Sequence, residues 1–141
     1  MLNTKKPVQE LKEILMAMNF FNEVSVGKVR DLTAETNLPN IYIKFENDIN
    51  RNNGKMTGAN GDEYDRMLAI TLELHLDLTG QDDLYYLDVR DMVEEAILKD
   101  SQLWSVVIDR DVVGSKWDSG ANLPLKQGEM GLILFTRACL N

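Results

Sequence analysis

The chain has 141 residues and a net charge of −8, with 44 % hydrophobic and 27 % charged residues. A folded chain of this size buries about two-thirds of its unfolded surface, so we expect one domain over residues 1–141. A single cysteine, Cys139, and a single histidine, His75, exclude a disulfide framework and a Cys/His zinc site. The negative charge opposes general nucleic-acid binding, and the absence of long apolar runs predicts a cytosolic chain without a membrane partner.

The first third of the chain predicts a helix and two strands. Residues 7–20 repeat apolar side chains at helical spacing, with Pro7 near the first helical position. Residues 22–30 alternate as a strand, and residues 31–39 are turn-like because they end at Pro39. Residues 41–45 form a compact second strand. The apolar stripe of the helix consists of Val8, Leu11, Ile14, Leu15 and Met18.

Residues 47–62 are rich in Asn and Gly and contain almost no apolar side chains. This composition predicts either a long mobile loop or an extended hairpin tip. Arg51, Lys55 and Met56 lie between glycine-rich flanks. They are candidate interface residues of a segment that orders on a partner, and the alternative is a plain disordered loop.

Residues 64–78 carry the strongest pattern, with apolar side chains at even positions and polar ones at odd positions. Burial stabilises each aliphatic side chain by about 1.5–3 kcal/mol, which fixes the register. A strand of this length reaches about 50 Å, against a radius of gyration of about 14 Å. We therefore expect the Tyr64 end to project as an arm or to bend at a bulge. Glu73, His75 and Asp77 share the polar face, which predicts a solvated group rather than a carboxylate–imidazole site.

The next element is a helix over residues 83–99 with Asp82 as its cap. Its apolar stripe predicts one buried face, and its carboxylates predict a solvated outer face rather than a metal site. The stripe consists of Tyr86, Val89, Val93, Ala96 and Ile97.

The last third predicts two strands separated by a polar loop. The strands cover residues 104–113 and 130–140, and the loop covers residues 114–128. Trp117 within this loop either folds back on the core or anchors an interface. The final strand is apolar on both faces, which is typical of an interior strand or of a face covered by a partner.

Together these elements predict an α+β fold, in which a mostly antiparallel sheet of about five strands carries two helices packed on one face. Neither a G-x-S-x-G elbow nor a phosphate-binding glycine loop occurs. Asp109, Asp111 and Asp118 lack the glycine and the terminal Glu of a calcium loop. We therefore predict no catalytic residue, no cofactor and no metal, and a chain that is not an enzyme.

The order and lengths of these elements resemble the tail terminator proteins of long-tailed bacteriophages, also called minor tail or tail-to-head joining proteins. The resemblance covers nearly the whole chain. Beyond the N-terminal helix and the first strand pair, three segments carry it: EYDRMLAITLELHLDL, DLYYLDVRDMVEEAILKD and GEMGLILFTRACL.

The resemblance implies a structural virion protein at the head-proximal end of the tail, assembled in the host cytoplasm. Such a protein forms a homohexameric ring that caps the tail-tube protein, ends tube polymerisation and offers a surface to head completion or neck proteins. DNA passes through the ring without specific binding, and an acidic lumen would let it slide. The alternatives are another neck connector or tail completion protein, and a small cytosolic ligand-binding protein.

Overall fold

The computed structural model describes residues 5–27, 37–58, 61–100, 109–117 and 125–140. Its helices and strands form an α+β fold. The predicted fold class is confirmed. In chain order the elements are α1 (Lys5–Ala17), β1 (Glu23–Val26), β2 (Asn40–Gly58), β3 (Gly61–Asp77), α2 (Asp83–Lys99), β4 (Asp109–Trp117) and β5 (Leu125–Leu140).

One sheet joins the described strands in the order β1-β2-β3-β5-β4. β1 runs parallel to β2, and the other neighbouring strands are antiparallel. β3 lies at the centre, paired along its length with β2 and β5. From Gly128 to Phe135, β5 lies between β3 and β4, which confirms the predicted interior position for that part of the strand.

A single apolar cluster joins the helices to alternate positions of the sheet. The even-numbered leucines and Ile70 of β3 contribute the centre of the cluster, as their alternation predicts. Facing side chains come from β2 and β5, and the predicted stripes of both helices complete the cluster. The position of both helices on the same side of the sheet stays a prediction. The buried helical side chains are Leu11, Ile14, Leu15, Tyr86, Val89, Val93 and Ile97.

Helix α2 begins and ends where its sequence predicts. The Asp82 side chain accepts a hydrogen bond from the backbone N–H of Leu84 at 3.0 Å, which satisfies one of the unpaired donors at the helix start. Lys99 lies in the last turn, where a cation is favoured, and contacts Glu95 one turn earlier. None of the helices in the described residues is long and apolar enough to cross a membrane.

Residues 47–58 belong to a strand, so the mobile-loop interpretation is wrong and the extended-hairpin alternative is confirmed. β2 continues to Gly58, and Gly58 pairs with Gly61 at the start of β3. Asn and Gly are weak strand formers, but strand preference depends strongly on pairing context. Here β3 is itself held by β5, and it provides the ladder on which β2 extends.

The strand predicted for residues 104–113 and the loop predicted for residues 114–128 are both displaced. β4 spans Asp109–Trp117, and β5 already begins at Leu125. Residues 104–108 and 118–124 lie outside the described part of the chain. The prediction ended the strand too early because it took Gly114 for the start of a loop. Gly114 has a φ of 147° and follows a register shift after Val112. A glycine at a bulge interrupts the apolar pattern without ending the strand.

The bulge considered for the Tyr64 end of β3 does not occur in β3. That strand keeps an unbroken pairing with β5 from Asp62 to Asp77. The register shifts fall in β2, after Phe45 and after Arg51. Bulges in one strand of a pair bend that strand and increase the local twist, so the irregular positions of the hairpin belong to β2 and not to β3.

Candidate functional site

The four residues predicted to form an interface lie on strands at two ends of the sheet. Arg51 and Met56 pair with Asp65 and Glu63 of β3, and Lys55 falls within the register shift between them. Trp117 is the last residue of β4 and pairs with Gly128, so its prediction as a loop residue is wrong. The side chains of all four residues lie outside the described part of the structure, and their interface role stays a prediction.

A row of polar side chains crosses from β1 to β3 on the sheet face opposite the apolar cluster. Register pairs share a face of the sheet, and Asn40 pairs with His75 whereas Tyr42 pairs with Glu73. Glu23 of β1 pairs with Asn40 and extends the row to the sheet edge. We call Glu23, Asn40, Tyr42, Lys44, Glu73 and His75 the polar cluster.

The centre of the polar cluster is buried, which corrects the prediction that Glu73 and His75 are solvated. His75 is 1 % exposed and Glu73 is 6 % exposed, whereas Asp77 is exposed as predicted. The prediction was wrong because it assumed that polar side chains on a strand face are exposed to solvent. The wholly buried Tyr42 ring lies edge-on to the imidazole, with ring centroids 4.9 Å apart, and Asn40 is buried beside them.

Both oxygens of the Glu73 carboxylate have partners, one on β3 itself and one on the neighbouring strand β2. His75 Nε2 lies 2.8 Å from Glu73 Oε1, and Lys44 Nζ donates to Glu73 Oε2 at 3.2 Å. An ionised carboxylate only accepts hydrogen bonds, so Nε2 carries the proton of the imidazole. Two charge-assisted contacts therefore satisfy the buried carboxylate.

A second chain of hydrogen bonds leads from Asn40 to the edge strand. Asn40 Nδ2 donates to the Tyr42 hydroxyl at 3.3 Å, and that hydroxyl donates to Glu23 Oε2, also at 3.3 Å. The hydroxyl thus acts as acceptor and donor at once. Because it spans β2 and β1, this chain stabilises the short parallel pair that the four residues of β1 form at the edge.

Opposing effects set the pKa of Glu73. Burial raises the pKa of this carboxyl, but the hydrogen bonds from His75 and Lys44 and the positive charge of Lys44 outweigh burial, so the pKa lies below its ordinary value of 4.5. The same contact raises the pKa of Lys44 above 10.5, chiefly through the hydrogen bond to Glu73. Both groups are therefore charged at neutral pH.

Two polar atoms at the centre of the cluster have no hydrogen-bond partner among the described residues: His75 Nδ1 and Asn40 Oδ1. In a neutral imidazole that donates through Nε2, Nδ1 is an acceptor, so both atoms accept. A carboxylate that orients a histidine is also found in catalytic sites, where the other ring nitrogen reaches a nucleophile or substrate. Here the imidazole is buried, and the neighbouring Lys44–Glu73 ion pair joins β2 to β3.

Metal binding finds no support in the described residues. They contain no group of three or more His, Cys, Asp or Glu side chains that could hold a metal ion. The carboxylates of α2 instead lie on its outer side, where Asp91 pairs with Arg90 at 2.9 Å. Pairing with Asp91 also raises the pKa of Arg90.

A second candidate site is the end of the long hairpin. β1 pairs with β2 only from Asn40 to Ile43, and β4 pairs with β5 only as far as Phe135. Past these points the described sheet consists of β2, β3 and β5. We call residues 50–58, 61–66 and 136–140 the three-stranded extension. Six residues of β3 at about 3.3 Å each give it a length of about 20 Å, because the extra residues of β2 lie in the register shift after Arg51.

Both outer strands of the three-stranded extension have open edges within the described residues. Among the described residues, the last ladder contact on the outer side of β2 is the Gly27 N–H donating to the Ile43 carbonyl at 2.8 Å. Unpaired N–H and C=O groups along an edge are a template on which another strand can pair. In the described parts of the chain, the extension therefore has one open edge on β2 and another on β5.

No protein-family model matches this chain, and no curated protein sequence matches it.

Proposed function

We propose that this protein is a structural virion component that assembles into a homohexameric ring. The ring caps the tail tube of a long-tailed bacteriophage, ends tube polymerisation and presents a surface to the head completion or neck protein. The proposal combines the resemblance in element order with the open edges of the three-stranded extension. No catalytic step is part of it.

The open edges are the observation that carries this proposal. A ring is built by head-to-tail contacts, in which one surface of each copy meets a different surface of the next. In the part of the chain that the structure describes, the outer edge of β2 and the outer edge of β5 are two different surfaces of one sheet. Pairing of the β2 edge of one copy with the β5 edge of the next would add main-chain hydrogen bonds. Such pairing needs no particular side chains, which accords with a sequence in which we find no catalytic or binding motif.

The net charge of −8 also accords with a ring around moving DNA. Phosphates are repelled by carboxylates, so an acidic lumen guides DNA without binding it. The buried polar cluster accords better with a structural protein than with a small-ligand protein. Its imidazole is 1 % exposed, and nothing dissolved in water reaches it without opening the sheet.

Deletion of residues 50–60 tests the proposal. This deletion removes the β2 strand of the three-stranded extension but leaves the apolar cluster, and residues 61–66 remain as a short connection between the paired Ile49 and Met67. We expect near-native circular dichroism together with loss of six-fold rings and of capped tubes in electron microscopy with purified tube subunits. Gln127→Ala, an exposed position away from the extension, is the control and should assemble normally. Normal assembly of the deleted chain would refute the role of the extension, and a wild-type chain that stays monomeric even with tube subunits would refute the ring.

A further inference from the structure

The polar cluster contains two separate chains of hydrogen bonds that end on neighbouring residues. One chain runs from Lys44 through Glu73 to His75, and its last polar atom is Nδ1 of the imidazole. The other runs from the edge strand through the Tyr42 hydroxyl to the Asn40 amide, and its last polar atom is Oδ1. Asn40 and His75 pair directly across β2 and β3, so the two chains end on adjacent side chains of one sheet face.

Both chains end on hydrogen-bond acceptors. The imidazole contacts an ionised carboxylate through Nε2, so Nε2 carries the proton and Nδ1 is left with a lone pair. The amide of Asn40 donates to Tyr42 through Nδ2, and its Oδ1 can only accept. Two acceptors cannot satisfy each other, and neither atom has a hydrogen-bond partner among the described residues.

Burial keeps bulk solvent from supplying donors to these two atoms. His75 is 1 % exposed and Asn40 is 2 % exposed. Polar atoms at such depth in folded proteins almost always have a partner, which is either a protein group or an ordered water. The two atoms therefore need one small group with two donor hydrogens, placed between their side chains.

We propose that a single buried water donates one hydrogen to His75 Nδ1 and the other to Asn40 Oδ1. Water has two donor hydrogens and needs little space. Directly paired residues of antiparallel strands have Cβ atoms about 4.5–5.5 Å apart, so one water can reach the polar atoms of both side chains. Buried waters make about two to four hydrogen bonds, chiefly to groups that otherwise have no partner.

The water joins the two chains into one network across three strands. The network begins at Lys44 on β2, crosses to β3, returns to β2 and ends at Glu23 on β1. The water also fixes the tautomer of His75, because Nδ1 remains an acceptor while the water donates to it. This inference concerns the interior of one chain and does not depend on whether the protein forms a ring.

Solution NMR tests the water, and the spectrum is simple because His75 is the only histidine of the chain. With isotope-labelled histidine we expect the Nε2–H tautomer and a magnetisation-transfer cross-peak between the ring proton Hε1 and water. Tyr42→Phe is the control, because the Tyr42 hydroxyl exchanges its proton with solvent and gives a similar cross-peak. The signal should persist in this variant. Asn40→Leu removes the Oδ1 acceptor and should abolish the signal.

A crystal structure of the unmodified chain is the second measurement, and it does not depend on the folding of a variant. We expect one water within hydrogen-bond distance of both His75 Nδ1 and Asn40 Oδ1. The proposal is overturned if the crystal shows no water at this position, or a protein group or an ion in its place, or if NMR finds a proton on Nδ1. A signal lost in Tyr42→Phe would assign the cross-peak to the hydroxyl, and a signal kept in Asn40→Leu would remove Oδ1 from the site; either result overturns the bridge.

Discussion

Around residues 72–75 both faces of β3 are buried, but by different means. On one face, Leu72 and Leu74 are wholly buried in the apolar cluster. On the other face, Glu73 and His75 are also buried. Apolar burial is stabilising in proportion to the area removed from water. Burial of a carboxylate is costly unless partners compensate, and Glu73 depends on His75 and Lys44. The apolar face therefore stabilises the sheet without depending on a charge, whereas the polar face depends on the ionised Glu73 carboxylate and its two contacts.

Truncation on the apolar face is expected to have the largest effect. Leu74→Ala removes a wholly buried side chain and leaves a cavity between sheet and helices, which should lower the free energy of unfolding by about 2–5 kcal/mol. Urea denaturation followed by circular dichroism measures the loss. Leu84→Ala, on the exposed side of α2, should change stability by no more than about 0.5 kcal/mol in dilute solution. A loss below about 1 kcal/mol for Leu74→Ala would show that the apolar face does not dominate.

Neutralising Glu73 should have a smaller effect that depends on pH. Glu73→Gln keeps the shape but removes the charge that His75 and Lys44 contact, so we expect a loss of about 1–3 kcal/mol at pH 7. The folded pKa of Glu73 lies below its ordinary value of 4.5, so its ionisation stabilises the fold above that value. The contribution is lost as pH falls through the folded pKa.

The measurement for Glu73 is the difference in unfolding free energy between wild type and Glu73→Gln from pH 7 down to pH 3. Taking the difference cancels the carboxylates that both proteins share. The difference in unfolding free energy between the two proteins should become smaller as pH falls. A gap that stays constant or widens would show that the charge of Glu73 contributes nothing to the stability of the polar face.

Local patterns predicted those elements whose side chains alternate cleanly. The even-numbered leucines of β3 and the stripe of α2 gave the bounds of these elements closely, because burial of one face fixes the register. Residues 47–58 were ambiguous, because their strand state depends on pairing with β3, which is a long-range contact. The second half of β4 was predicted as a loop, because a glycine at a bulge gives the same sequence signal as a glycine in a turn.

The sequence predicted only part of the polar cluster. The spacing of Glu73 and His75 put them on one face, but nothing local shows that Tyr42 and Asn40 lie opposite them. The alternation of Asn40, Tyr42 and Lys44 with apolar residues was a usable signal, because two strands with matching polar faces can pair. The register between β2 and β3 decides which residues meet, and it becomes known only once the hairpin is built.

Asp77 provides the smallest and sharpest test of whether burial, rather than charge, makes Glu73 important. It lies on the polar face of the same strand but is exposed, and its Oδ1 accepts from the Thr79 hydroxyl at 2.6 Å and from the Thr79 N–H at 2.9 Å. These hydrogen bonds, the hydroxyl first, lower the pKa of Asp77, so its contribution also disappears as pH falls. Water competes at an exposed site, and Asp77→Asn keeps an acceptor oxygen, so we expect a change of no more than about 0.5 kcal/mol at pH 7. Urea denaturation of Asp77→Asn beside Glu73→Gln makes the comparison, and equal losses would mean that the buried partners of Glu73 add nothing to the strength of its contacts.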